Sequence, residues 1–132
     1  MMPIPTERSV QRAIVQAIKL QFDAVVHHSP NGAYLSGSKT QRFMQAGALK
    51  GDGMLPGYPD LTVLWNGGGK LLEVKRPKRS VTSDDQKAAH GLLESVGWPV
   101  TIVKSVDDAL AALRAAGAPT RGTAATNLPE VG

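Results

Sequence analysis

Two short runs of strand-forming residues, Leu61–Trp65 (LTVLW) and Leu71–Lys75 (LLEVK), are separated only by Asn66-Gly67-Gly68-Gly69. No other feature of the chain restricts its fold as tightly. β-Branched and large apolar residues favour the pleated conformation, and a linker of Asn and Gly this short turns the chain back along itself, so the spacing predicts an antiparallel hairpin. Closing it over all four linker residues pairs Trp65 with Lys70, Thr62 with Glu73 and Asp60 with Lys75. Side chains alternate across a strand, so Asp60, Thr62, Glu73 and Lys75 then share one face. Leu61, Val63, Trp65, Leu72 and Val74 share the other, which is apolar apart from Lys70; a one-residue bulge would break this parity. One face therefore needs a hydrophobic cover, and the other presents two carboxylates beside a lysine.

The flanking segments supply the cover. Val10, Ala13, Ile14, Ala17 and Ile18 follow the spacing of one helical face, predicting a helix from just after Pro5 to Gln21 or Phe22. Thr6 suits its N-cap, and Glu7 falls in the first turn, where the helix dipole favours a carboxylate. Glu7 also shares the face of Val10 and Ile14, so it is expected to point inward. Ala24–His27 reads as a short strand. Residues 29–58 are rich in glycine, and a structureless loop of that length is unusual in a compact domain, so a modest helix is placed over Thr40–Leu49. Ser83-Asp84-Asp85-Gln86 is a capping box opening a helix that ends at Gly97, with Pro99 beyond. Val100–Val103 is a buried-type strand, and Ser105 caps a last helix over Val106–Ala116, stopped by Gly117 and Pro119. Residues 118–132 are expected to form a disordered tail, leaving 1–117 as one domain. The fold class is α/β, a small mixed β-sheet flanked by helices in the order α-β-β-β-α-β-α, with the 40–49 helix inside the connection after the first strand.

Composition narrows the chemistry. At 132 residues and 42% hydrophobic, the chain suits one core. It has no cysteine, which excludes a disulfide scaffold, a cysteine–zinc site and a thiol nucleophile, and favours a cytoplasmic setting. No apolar run approaches the ~18 residues of a membrane span, and the N-terminus lacks the apolar core of a secretory signal. Fifteen Lys and Arg against eleven Asp and Glu leave a net charge of +4, which favours a polyanionic partner.

Two carboxylates resist sharing one site unless a cation neutralises them. Oxygen-only ligands suit a hard ion, Mg²⁺ or Mn²⁺, which polarises a phosphoryl oxygen and lowers the pKa of bound water, as phosphodiester cleavage requires. Lys75 beside them is placed to orient water or bind the developing phosphate charge, and Glu7 is the natural third carboxylate.

Pro59-Asp60 followed thirteen residues later by Glu73-Val74-Lys75 matches the PD-(D/E)XK nuclease signature. The wider pattern adds Glu7 on the first helix, Gly57-Tyr58-Pro59-Asp60-Leu61, and Gln86 on the helix after the hairpin. Together they resemble the virus-type replication-repair nuclease (VRR-NUC) domain over roughly residues 6–115. The resemblance implies a restriction-endonuclease-like core in which Asp60, Glu73 and the Val74 carbonyl bind metal, Glu7 assists, Lys75 is catalytic and Gln86 supports the site. It further implies a small viral or bacterial protein, working inside a cell as a homodimer, that cuts branched DNA such as four-way (Holliday) junctions.

Plainer readings compete at each position. Asp60, Glu73 and Lys75 also fit a solvated strand edge with a surface ion pair, although Glu7 is then a further coincidence. Gln86 already has structural work as the third residue of a capping box. The basic residues Arg76, Lys78 and Arg79, with Arg42 on the 40–49 helix, are candidates for DNA phosphate contacts, extended by Arg8, Arg12, Lys39 and Lys50. His27 and His28, adjacent on a strand, point to opposite sides and cannot easily share an ion, so one is expected to be buried and the other exposed. Asn66–Lys70 lacks phosphate-loop spacing. Trp65 and Trp98 read as core or interface anchors. Two other functions fit the same fold: a non-catalytic nucleic-acid-binding module, and a sequence-specific restriction endonuclease that reads a short site with loop 29–57.

Overall fold

The computed structural model of the chain describes residues 5–30, 37–77 and 81–122. Their elements run α1 (Glu7–Gln21), β1 (Val25–His28), α2 (Lys39–Gly51), β2 (Leu61–Trp65), β3 (Gly68–Val74), α3 (Asp84–Ser95), β4 (Val100–Val103) and α4 (Val106–Ala115). Local chemistry starts each helix. Thr6, Ser83 and Ser105 accept backbone N–H groups of Ser9, Gln86 and Asp108 at 3.0, 3.2 and 3.0 Å. Ser38 opens α2 with a second capping box, closed by Gln41.

The hairpin turns more tightly than its four-residue linker suggested. Trp65 lies opposite Gly68 and Leu61 opposite Leu72, so only Asn66 and Gly67 form the turn. Gly67 has φ +85°, a conformation that suits the strand twist and that side-chain-bearing residues rarely adopt. Gly68 and Gly69 join β3 because neighbouring side chains cover them: a Cβ on Gly68 would stand 2.6 Å from the Trp65 indole nitrogen, and one on Gly69 would stand 2.9 Å from Leu64. The register differs from the expected one by two residues, so the parity of the faces survives. Continued by one step, it sets Asp60 across from Glu73, where Lys75 was expected.

The sheet order is β1-β2-β3-β4, antiparallel except for the parallel β3–β4 pair. Val10, Ile14 and Ile18 of α1, Leu110 and Leu113 of α4, and Leu61, Val63, Leu72, Val74 and Val103 of the sheet form one core. The opposite face carries Glu73 and Lys75 and is covered by α3, whose Ala89 is buried, as is Leu71. Trp65 packs against the main core, whereas Trp98 stays 44% exposed.

Part of the expected tail is structured. Ala118 is buried in the core, Asp23 N–H donates to the Pro119 carbonyl at 2.9 Å, and Phe22 bridges Thr120. Arg121 donates to the Phe22 carbonyl and lies 3.8 Å from the buried Asp23 carboxylate. Residues 118–122 thus clasp the end of α1, since Gly117 and Pro119 end a helix without preventing the chain from packing. The rest of the expected tail, 123–132, lies outside the described residues. The two histidines of β1 are both exposed, because only Val26 of that edge strand reaches the core.

Candidate active site

Asp60 sits just before β2. Its backbone carbonyl is held by Ser29 N–H at 2.8 Å and contacted by His28 Nδ1 at 3.1 Å, and its Oδ2 accepts Val74 N–H at 2.8 Å. These bonds tie the aspartate to both flanking strands and leave it 6% exposed. Pro59, fully buried, stiffens the approach. Gly57 explains why that approach begins with glycine. Its φ is +75°, and a Cβ there would stand 2.3 Å from the Asp85 backbone and 2.5 Å from Gln86 N, so the loop passes the start of α3 only without a side chain.

Glu73 faces Asp60 from β3 and is fully buried. Burial pushes its carboxyl up to about 9, and a hydrogen bond to Asp60 and the charges of Asp60 and Glu7 act in the same direction, opposed by Lys75. At neutral pH the glutamate therefore keeps its proton, which its hydrogen bond to Asp60 favours.

Lys75, at the end of the same strand, is also buried. Its Nζ donates to Gln86 Oε1 at 2.8 Å and to the Val81 carbonyl at 3.2 Å. Gln86 Nε2 in turn donates to Glu73 Oε2 at 3.1 Å, while Oε1 also accepts Ser83 N–H at 3.0 Å. One amide thus completes the capping box and also joins the lysine to the glutamate. The solvated-edge alternative is not met: Asp60, Glu73 and Lys75 are all buried, and the lysine's bonds run to α3 and the segment before it.

His90 is a site residue that the sequence reading missed. Its Nε2 lies 3.3 Å from Glu73 Oε1, and burial, followed by the Lys75 charge, lowers its pKa. The available signal was the four-residue step from Gln86, which stacks both side chains on one face of α3.

Glu7 differs from expectation. It is exposed at the first turn of α1, not turned into the core. Its carboxyl is nonetheless raised, first by desolvation and then by the Asp60 charge, with Lys75 and Arg76 opposing, which places it at the rim of the same cluster. Among the described residues, no three carboxylate or imidazole side chains converge into a ready cation site. The structure brings Asp60, Glu73, Lys75, Gln86 and His90 together and leaves Glu7 one shell out. Arg42 is exposed on α2, and Arg76 is half-buried, with its charge acting on Glu7. Lys78 and Arg79 lie outside the described residues.

The donor set fits a hard divalent cation. Asp60 and Glu73 offer oxygen donors, and a buried acid pair in which burial keeps a proton on Glu73 gains from a cation that replaces that proton.

A family model described as the VRR-NUC domain matches residues 5–107. A solved structure titled a VRR_NUC domain protein superimposes with a TM-score of 0.64 at 21% identity, covering 88% of this chain and 91% of that one. No curated protein matches the chain.

Proposed function

The chain belongs to the VRR-NUC domain family of nuclease-type domains, and from that premise we propose that it is a divalent-metal-dependent endonuclease that hydrolyses phosphodiester bonds in branched DNA, four-way junctions included, as a homodimer. VRR-NUC nucleases generally depend on a divalent metal; Mg²⁺ or Mn²⁺ is the ion this oxygen-rich site takes. The observation that carries the reading is the buried, hydrogen-bonded Asp60–Glu73 pair with a buried lysine beside it.

Asp60, Glu73 and the Val74 carbonyl would hold the ion, with Glu7 assisting from the rim. The ion, once bound, neutralises the carboxylates and polarises the phosphate. Lys75 acts from beside the carboxylates. Its ammonium is fixed by Gln86 and Val81, using two of its three N–H bonds, and meets the charge that builds on the phosphate without first having to be ordered. Gln86 keeps the lysine and Glu73 in mutual register. His90 contributes a second contact to Glu73, and burial, followed by the Lys75 charge, favours its neutral form. Arg76, with Lys78 and Arg79, supplies phosphate contacts next to the catalytic strand, and Arg42 adds one from α2.

The test is incubation with labelled four-way junction, flap and linear duplex DNA at fixed salt, with Mg²⁺, Mn²⁺ or chelator. Expected is metal-dependent nicking that Asp60→Asn and Lys75→Ala both abolish while DNA binding persists. Normal cutting by the lysine variant overturns its assigned role, and binding without cutting under either metal makes the protein a non-catalytic DNA-binding module.

A further inference from the structure

The helix α2 stands apart from the rest of the fold. None of its residues is buried, Gln45, Ala46 and Leu49 being half-buried, and it begins with a complete capping box. It presents Phe43, 80% exposed, and Met44, 67% exposed, side by side. The same helix carries Lys39, Arg42 and Lys50 and contains no acidic residue. Lys39, Phe43, Ala46 and Lys50 fall on one stripe, at steps of four, three and four residues. The lower part of that stripe, Ala46 and Lys50, lines an open groove of about 650 Å³ together with Leu49, Met54 and Tyr58. Gln86, which touches Glu73 and Lys75, also lines it. Phe43 thus rises about one turn, roughly 5 Å, beyond a groove that leads to the catalytic cluster.

An exposed apolar pair on a helix whose charged side chains are all cations attracts a polyanion and disfavours a second copy of itself. We infer that α2 is a wedge: Phe43 and Met44 enter a base step of the bound DNA while Lys39, Arg42 and Lys50 hold the flanking phosphates, and the apolar groove receives the displaced base. Apolar side chains inserted between base steps cost unstacking energy, which is least where the stack is already interrupted. The wedge therefore selects branch points over continuous duplex. This inference rests on the nuclease reading and names how that site chooses its substrate.

The experiment uses a four-way junction with 2-aminopurine at the branch, and a linear duplex of the same sequence, titrated with the full chain in chelator. Wild-type protein is expected to raise the fluorescence on the junction only. The variant Phe43→Ala/Met44→Ala should lose that rise and about tenfold of its preference for the junction, with an unchanged salt dependence because no phosphate contact is removed. Phe43→Trp should keep the response. Arg42→Ala should weaken both DNAs alike and reduce the salt slope by about one. An unaltered fluorescence rise in the double variant overturns the wedge, as does a fall from dimer to monomer in sedimentation, which makes the patch a protein interface. Either result can occur in a protein that still cuts DNA; absence of cutting on every substrate overturns the nuclease reading instead.

Discussion

Replacing Glu73 with glutamine should stabilise the metal-free protein, by an amount that grows with pH. In the fold the glutamate carboxyl is raised from its ordinary 4.5 to about 9, chiefly because it is fully buried and secondly because it donates to Asp60. Between those two values the folded state binds a proton that the unfolded chain has released, so stability falls as pH rises, and it is level outside that window. At pH 7 the interval above 4.5 is about 2.5 units, and at about 1.4 kcal/mol per unit the wild type forfeits about 3 kcal/mol. Glutamine imitates the protonated acid: it fills the same volume and still donates to Asp60, without a proton to lose. Urea unfolding in chelator, in matched buffers from pH 5 to 8, measures the difference between the two proteins, in which the titrations of Glu7 and His90 largely cancel. That difference should rise from about 1 kcal/mol at pH 5 to about 3 kcal/mol at pH 7. Saturating Mg²⁺ should stabilise the wild type far more than the variant, since the variant lacks a ligand charge. Curves that stay parallel across the pH range would refute the argument that burial holds Glu73 protonated.

Three further perturbations test the supports of the site. Gly57→Ala should cost about 1–3 kcal/mol in urea unfolding and depress nicking at least tenfold, because the added methyl meets the Asp85 backbone and displaces Gln86. Ser83→Ala and Gln86→Ala should separate capping from catalysis: the serine variant loses about 1 kcal/mol and keeps cutting, whereas the glutamine variant also loses most nicking as Lys75 and Glu73 lose their common partner. In the core, Leu113→Ala should cost about 2–5 kcal/mol, against no more than ~0.5 kcal/mol for Leu20→Ala, a residue 75% exposed; thermal or urea melts distinguish them.

Local rules carried the reading a long way. The helical stripe of Val10, Ile14 and Ile18 is the buried face of α1, and the caps at Thr6, Ser83 and Ser105 all make the bonds their residue types favour. These outcomes depend on neighbours three or four residues away, so they are written in the chain itself. Strand parity is equally local: a shift of two residues in the hairpin register left Asp60, Glu73 and Lys75 on their common face, which is why the acid pair was legible despite a wrong pairing. Only the tertiary structure decided what faces that pair. His90 reaches Glu73 and Gln86 joins it to Lys75 because α3 crosses this side of the sheet, while Glu7 stays at the rim because α1 packs against the other. The clasp of residues 118–122 on Phe22 and Asp23 has the same origin. Such meetings join residues far apart in the chain, and their free energy comes from burial and desolvation that exist only once the layers have closed, so no propensity of the separate segments encodes them.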